Sequence, residues 1–530
     1  MKIIICSNVY PPNFIGGAEL VTHQQARVLQ SLGHDVIVFA GEIGGKSRRY
    51  KCVREKYDSL DVCRVHLSSL DYQANCVNFF HEEVEQHFSS LLAAFSPDVV
   101  HMHNIIGLSV GLIHLSKKAG AKTVLTLHDH WGVCHKNTLI NHKGEICQSY
   151  TDCDRCMSSI YLENDVEIPI RMRKDYFSLQ AKEVDMFISP SRYLAEVYIA
   201  AGFPPEKVEV VWNGIDVKRY SVVKKKRAGR DKMRFTFIGH FGRHKGIYVL
   251  LDALTHINKK FKFRVNLVGI GEELDRSKQY VNKMGLQNSV VFWGRISNDR
   301  IKNVFRKTDV LVLPSIWPEN HPGVITEAMS SHTPVIASNI GGIPEIVEDG
   351  TTGCLFEPGN ARQLAQKMES FLVNRESIRI FGENAFNKIE NNTFENHIEK
   401  ILRVYSNTAA PQDVSAEKRR IVVCAGRGLS KIHTDALRIF MDKMKGNNCL
   451  FVLYNWLTKD QICETDVCWI LDETGYFEEA LYASQQGIPL LVPKKNAGLR
   501  NFCRDQKKGL YYSDPYEAAL CLKHLIMMNQ

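Results

Sequence analysis

Short runs of β-branched and apolar residues alternate with amphipathic stretches along most of this chain. KIIICSN (2–8) leads into ELVTHQQARVLQSLG (19–33), whose apolar residues recur at helical spacing and which stops at Gly33. HDVIVFAG (34–41), DVVHMHN (98–104), KTVLTLHD (122–129), MFISPS (186–191) and KVEVVWNG (207–214) continue the series. Strand, helix, strand at such intervals predicts parallel pairing through right-handed crossovers, hence the α/β class with a doubly wound sheet.

A second series follows the basic stretch near 218–232: RFTFIGH (234–240), IYVLLDALTHI (247–257), FRVNLVGIG (263–271), SVVFWGR (289–295), DVLVLPS (309–315), TPVIAS (333–338) and GCLF (353–356). A helical stretch, FENHIEKILRVYSN (394–407), is expected to close this second domain. Beyond the polar segment 408–420 lies what reads as a worn repeat of the second domain's last half. DVCWILD (466–472) matches DVLVLPS, and residues 488–526 match 333–372 in order and approximate spacing. Anchoring that repeat on Pro334 and Pro489 puts Tyr482 where Glu327 stands, so the tail is expected to be catalytically dead. At 530 residues the chain is too long for one ordinary core, in keeping with two domains and a third, smaller α/β piece.

Composition narrows the function classes. No run of about 18 consecutive apolar residues occurs, so no membrane-spanning helix is expected. The apolar start of MKIIICSNVYPP is too short for a signal peptide. The fifteen cysteines are therefore assigned to a reducing cytoplasm, without paired disulfides. The formal charge of +9 is partly local, in KSRRYKCVREK (46–56) and KKKRAGRDK (224–232). Such runs read first as solvated loops; attraction to an anionic substrate or membrane surface is the alternative. No aromatic-plus-basic module or zinc-finger helix accompanies them, which argues against nucleic acid.

The segment most informative about chemistry is PENHPGVITEAMSSHTPVIASNIGGIPEIVEDGTTGCLFEPGN (318–360). Seven residues separate Glu319 from Glu327, and the HPG turn between them leads into a helix. Gly323 lets backbone N–H groups at the helix start approach a diphosphate or a sugar hydroxyl. Glu319 can reach into a cleft, and Glu327 can accept hydrogen bonds from a ribose diol. Both would otherwise be acids that complement a helix dipole.

Here the chain resembles the retaining glycosyltransferases of family 4, which have the GT-B fold. Their Glu-x7-Glu element and Gly-Gly-x-Pro-Glu turn are matched by Glu319, Glu327 and GGIPE (341–345), and the likeness covers about residues 1–407. It implies two Rossmann-like domains facing a cleft: 1–217 on the acceptor side and 218–407 binding the nucleotide sugar, its final helix at about 394–407. A linker (408–420) and a degenerate accessory domain (421–530) complete the expected organisation. By resemblance Glu319 contacts the donor sugar, Glu327 the nucleotide ribose, and the peptide around Gly323 and Val324 the sugar and phosphates. Gly16 and Gly17, in PPNFIGGAEL (11–20), stand where a Gly-Gly turn lets backbone approach a diphosphate or acceptor. In FIGHFGRHKGIYVLLDAL (237–254), Lys245 matches the family's diphosphate-binding lysine. His240 stands where an arginine is usual, and Arg243, three residues on, is the candidate substitute. His128, at the C-terminal end of a strand in VLTLHDHW, is placed by the resemblance near the reacting carbon; Asp129 fixes the turn.

Cys134, Cys147, Cys153 and Cys156, spaced x12, x5 and x2, suit a structural zinc, and many relatives carry a similar loop; four unconnected thiols are the alternative, and His135 or His142 could replace a thiol. The resemblance further implies a UDP- or GDP-sugar donor, a glycan or lipid-linked acceptor, surface-polysaccharide biosynthesis, no requirement for a catalytic metal, and action in the cytoplasm with peripheral membrane contact left open. Two rivals are a non-catalytic binding member, against which both glutamates speak, and a nucleotide-sugar epimerase, which would lack this Glu-x7-Glu turn.

Overall fold

The computed structural model describes residues 1–13, 16–44, 48–76, 78–150, 153–157, 159–161, 167–221 and 232–406. Beyond 419 it describes five strands and Ala483. The first domain is built on Lys2–Ser7 (β1), Asp35–Ile43 (β2), Cys52–Tyr57 (β3), Leu60–Leu67 (β4), Val99–Met102 (β5) and Lys122–Thr126 (β6). A small antiparallel pair, Ser159–Tyr161 (β7) and Glu167–Pro169 (β8), precedes Met186–Ser189 (β9) and Val208–Val210 (β10). The eight-stranded sheet has the order β10-β9-β6-β5-β1-β2-β4-β3. Its central strands are buried along their whole length (β5, β6 and β9 almost without exception), which is why they read as unbroken apolar runs rather than alternating ones. Only β3 runs antiparallel; its exposed Arg54, Glu55 and Lys56 charge the sheet edge against further pairing.

The second sheet comprises Met233–Ile238 (β11), Phe263–Val268 (β12), Val290–Gly294 (β13), Val310–Leu313 (β14), Val335–Ser338 (β15) and Gly353–Phe356 (β16), in the order β13-β12-β11-β14-β15-β16. In both sheets the order reverses beside the first strand, between β1 and β5 and between β11 and β14. Loops leaving the carboxyl ends of those strands diverge there and leave room for a ligand.

The final helix departs from expectation. Phe394–Ser406 does not close the second domain: Ile398, Ile401, Val404 and Tyr405 are buried with Ile3, Ile5, Val36, Val38 and Val99 of the first. The chain crosses back, because the first sheet has an apolar face to cover and this helix carries the matching stripe. Lys122 Nζ seals the junction by donating to the Val404 and Tyr405 carbonyls at 2.8 and 3.0 Å.

The tail holds a third parallel sheet of Arg420–Ala425 (β17), Cys449–Tyr454 (β18), Val467–Ile470 (β19), Leu490–Pro493 (β20) and Leu510–Tyr512 (β21), ordered β18-β17-β19-β20-β21. That is the order of β12-β11-β14-β15-β16. The pairing agrees residue for residue: Cys468 opposite Leu490 repeats Leu311 opposite Val335, and Leu491 opposite Leu510 repeats Ile336 opposite Cys354. The likeness therefore extends beyond the last half, to β17 and β18 as counterparts of β11 and β12. Tyr482 and Pro489 lie outside the described residues. Trp469, Ala483 and Leu490 are buried in the apolar cluster of the first domain.

Candidate active site

Lys245 ends a short turn, Arg243–Lys245, that follows β11, and Glu319 lies beyond the end of β14. Because β11 and β14 are neighbours at the switch point, 74 residues of sequence separation collapse to contact: Lys245 Nζ donates to Glu319 Oε1 at 2.6 Å. Ser315 Oγ donates to the same oxygen at 2.7 Å. Glu319 is buried, and pairing with a cation plus a hydroxyl is what makes a buried carboxylate tolerable. Lys245 also lies 5.5 Å from the centre of the Trp317 ring, a cation–π contact that helps to orient the ammonium.

The GGIPE turn fixes the backbone beneath this pair. Gly342 N donates to the Glu319 carbonyl at 2.7 Å, and a Cβ on Gly342 would stand 1.9 Å from the Asn320 carbonyl oxygen, so no larger residue fits. Asn320 Nδ2 reaches across to the first domain and donates to the His128 carbonyl at 3.0 Å. Glu345 makes a second bridge: its carboxylate accepts from the Arg192 and Tyr193 amides at 2.8 and 2.7 Å. Those amides open the helix Arg192–Ala200, whose dipole favours the negative charge. One short turn thus grips both Glu319 and the opposite domain. Glu345→Ala is expected to lose about 1–2 kcal/mol of this capping and to loosen the two domains, seen as a larger radius of gyration by small-angle scattering. Glu345→Gln should fall between the two.

Glu327 sits on the helix Gly323–Ser330, which opens at Pro322–Gly323. Val324 follows Gly323 in its first turn, and a side chain on Gly323 would meet no atom within 4 Å, so the fold itself does not demand glycine there. Tyr220 donates its hydroxyl to Glu327, and burial pushes the Glu327 carboxyl up to about 7 despite that bond and the nearby Arg219. The ordinary value is 4.5, so between those values the folded protein keeps a proton that the unfolded chain has released. Stability from this group falls as pH rises through that window. Glu327→Gln, which cannot ionise, is expected to gain Tm relative to wild type as pH goes from about 5 to about 8, checked by thermal melts across that range.

On the first domain, His128 lies just past β6 and Gly16 caps the helix Gly17–Ser31, with Gly16 N donating to Glu19 Oε2 at 2.8 Å. Gly16 and Gly17 are exposed, and a Cβ on Gly17 would meet nothing within 4 Å. Asp129 is held by Asn104 Nδ2 at 2.8 Å and the Trp131 amide at 2.9 Å, fixing the turn as expected. His130, buried, has its ordinary pKa lowered to about 4 by desolvation, with the Glu319 charge opposing.

Arg243 lies apart from the Lys245–Glu319 pair: it is largely exposed and donates from Nε to Glu273 Oε1 at 3.0 Å, while His240 pairs with Glu272 at 2.7 Å. The turn that points Lys245 inward sends its neighbour two residues earlier outward. The zinc expectation for Cys134, Cys147, Cys153 and Cys156 is not supported: among the described residues no three of His, Cys, Asp or Glu are placed to hold a metal. Cys134, Cys147 and Cys153 instead pack as small apolar side chains against the first domain's core, and burial raises the Cys153 thiol.

Several residues of the site have no motif signal: Ser315, Tyr220, His103 and Glu345's opposing amides. Ser315 alone had a hint, as a polar residue ending an apolar strand.

Residues 15–219 match the glycosyltransferase family 4 model, and residues 221–388 match glycosyl transferases group 1. The chain belongs to this glycosyltransferase family. An uncharacterised glycosyltransferase of Methanocaldococcus jannaschii is 25% identical over 383 residues, covering 70% of this chain and 89% of the relative. WcaL of Salmonella typhimurium, a putative colanic acid biosynthesis glycosyltransferase, is 28% identical over 176 residues, covering 32% of this chain and 43% of WcaL. Among solved structures, Anabaena HepE in complex with UDP and glucose superimposes with a TM-score of 0.54 at 19% identity, covering 77% of this chain and all of HepE. That likeness gives this glycosyltransferase the GT-B fold, with the paired Lys245 and Glu319 between its two domains. Among the described residues no helix is long and apolar enough to cross a membrane.

Proposed function

We propose that this glycosyltransferase moves a sugar from a nucleotide-diphosphate sugar to a glycan or lipid-linked acceptor, with retention of anomeric configuration, in surface-polysaccharide biosynthesis. The observation that carries the reading is the Lys245–Glu319–Ser315 cluster, its carboxylate and hydroxyl buried, at the switch point of the second sheet, bridged by Asn320 to the His128 turn. Relatives point the same way: HepE is seen with UDP and glucose, and WcaL is assigned to colanic acid biosynthesis.

Donor nucleotide rests on the second domain, its ribose diol donating to Glu327 and its diphosphate meeting Lys245 and the amides at Gly323 and Val324. As the bond from anomeric carbon to diphosphate oxygen breaks, its electron pair leaves with the diphosphate, where Lys245 stabilises the growing charge. The sugar becomes cation-like, and Glu319 provides the fixed negative charge beside it. The acceptor hydroxyl attacks from the face the diphosphate vacates and passes its proton to a departing phosphate oxygen. Gly16 and Gly17 line the acceptor side, His128 faces the sugar near its reacting carbon, and the Asn320 and Glu345 bridges hold the cleft closed against water.

The test is a thermal-shift panel of UDP- and GDP-sugars on wild type and Glu327→Ala. A Tm rise with one donor that vanishes in the variant is expected. No rise with any donor, from folded protein, would overturn the donor assignment in favour of a non-catalytic role.

A further inference from the structure

His103 and His128 stand at the ends of adjacent strands, β5 and β6, and join through their rings. His103 Nδ1 and His128 Nε2 are 2.8 Å apart. The ring planes lie 19° from parallel with centroids 5.1 Å apart, a separation that, with the nitrogens at 2.8 Å, sets the rings end to end for an N–H···N bond. One face of His103 stacks on His101, centroids 4.4 Å apart. His101 is locked in turn by Gln25, Tyr405 and Thr126 at 2.7–2.8 Å. His103 therefore cannot swing away from His128.

Only one of the two nitrogens in an N···N bond carries the proton, and the surroundings decide which. His103 is buried, and its Nε2 has no hydrogen-bond partner among the described residues. Were His128 the donor, neutral His103 would carry its own proton on that Nε2, leaving a buried N–H unsatisfied. With His103 Nδ1–H as donor, only a lone pair is left unpartnered, and orphaned N–H groups are the rarer and costlier of the two. The second arrangement places the His128 proton on Nδ1. Neither His128 nitrogen is among the buried atoms lacking a partner, and Nε2 is spoken for, so Nδ1 is the nitrogen presented to the cleft. Burial holds both rings below the ordinary histidine value, His128 at about 4, which keeps them neutral near pH 7.

We propose that His103 is a positioning residue that holds His128 in its Nδ1–H form, so that His128 serves the cleft as a hydrogen-bond donor to a sugar oxygen and not as a base. The tautomer stands on the geometry alone; the sugar as its ligand rests on the donor-site reading above. A neutral ring whose open nitrogen already bears hydrogen cannot take a proton there, so the acceptor's proton goes to the leaving phosphate.

Long-range ¹H–¹⁵N correlation spectra of ¹⁵N-histidine-labelled protein test this directly, with His128→Asn to assign the signal. The expected spectrum has His128 Nδ1 protonated and Nε2 unprotonated, and His103→Leu should release the ring towards the Nε2–H form. Protonated His128 Nε2 in the wild type, or no change in His103→Leu, overturns the proposal. Should His103→Leu not fold, His103→Asn, whose amide can still donate, serves as the second variant and should retain the wild-type tautomer; the Nε2–H form there would equally overturn the proposal. With the donor named by the thermal-shift panel, His103→Leu is expected to lower kcat about tenfold with donor KM within about twofold, and His103→Asn to recover most of that loss. Equal losses in both variants would reduce His103 to a packing residue. A panel with no binding donor would sink the donor-site reading while the spectra still decide the tautomer.

Discussion

Glu319→Gln is expected to lower kcat by about 10²–10³-fold while leaving nucleotide-sugar affinity within a few fold of wild type. Glutamine keeps the size of the side chain and one oxygen for Ser315 and Lys245, both of which meet Glu319 Oε1. What disappears is a fixed charge where positive charge develops on the sugar, an interaction made chiefly in the transition state and therefore read in kcat rather than in binding. The loss of charge also leaves the Lys245 ammonium, largely withdrawn from solvent, without its counter-ion, so a lower Tm is expected alongside. Adding Lys245→Met to Glu319→Gln should restore part of that Tm but none of the turnover, because the pair acts as one unit and the effects are not additive. Steady-state kinetics and melts on the two single variants and the double variant check this. Turnover of Glu319→Gln within threefold of wild type would remove Glu319 from the chemistry.

Gly246→Ala should be the most damaging small substitution in the second domain, costing about 3 kcal/mol or more and abolishing donor binding. Gly246 has φ +71°, where an L side chain is strained, and an added Cβ would stand 1.7 Å from the Pro314 carbonyl oxygen. That neighbour is backbone at the end of β14, so no rotamer change relieves the overlap, and the two loops must separate. They are the loops that carry Lys245 and, beyond Pro314, Ser315 and Glu319, so stability and site fail together. Gly323→Ala is the control: a new Cβ there meets nothing within 4 Å, and alanine suits a helix start, so stability should hold or rise slightly. Its donor affinity should nevertheless fall, since the proposed diphosphate approaches that peptide closely. Urea unfolding midpoints and donor thermal shifts separate the two behaviours. Equal stability loss in both variants would mean that the Gly323 turn is tight for reasons of folding.

Glu319, Glu327, Lys245 and the GGIPE turn could be singled out in the sequence because each lies in a short run of consecutive residues that matches the glycosyltransferases' motifs. The doubly wound sheets were legible because strands buried on both faces must be apolar throughout, and parallel neighbours need a helix between them. Spacing puts Arg243 near Lys245 but does not say which way it points; Glu273 draws it outward. The cysteines left two readings open because thiols close in sequence suit a metal and an apolar core equally well, and only packing distinguishes the two. The helix Phe394–Ser406 shows the same limit at larger scale, since its apolar stripe records that it must be covered and not by which domain.

By itself, then, the sequence determined the class of fold, the two parallel sheets and the short segments bearing the acids, the lysine and the glycine turns. The fold follows from periodicity and from steric rules that act within a few residues, and the short segments stand out by their match to the family's motifs. The tertiary structure alone decided the Lys245–Glu319 pair, the coupling of His103 to His128, the Glu345 cap on Arg192 and Tyr193, and the return of the last helix to the first domain. Each joins residues from 25 to several hundred positions apart, and such contacts depend on where whole sheets place their strand ends, which no local pattern encodes.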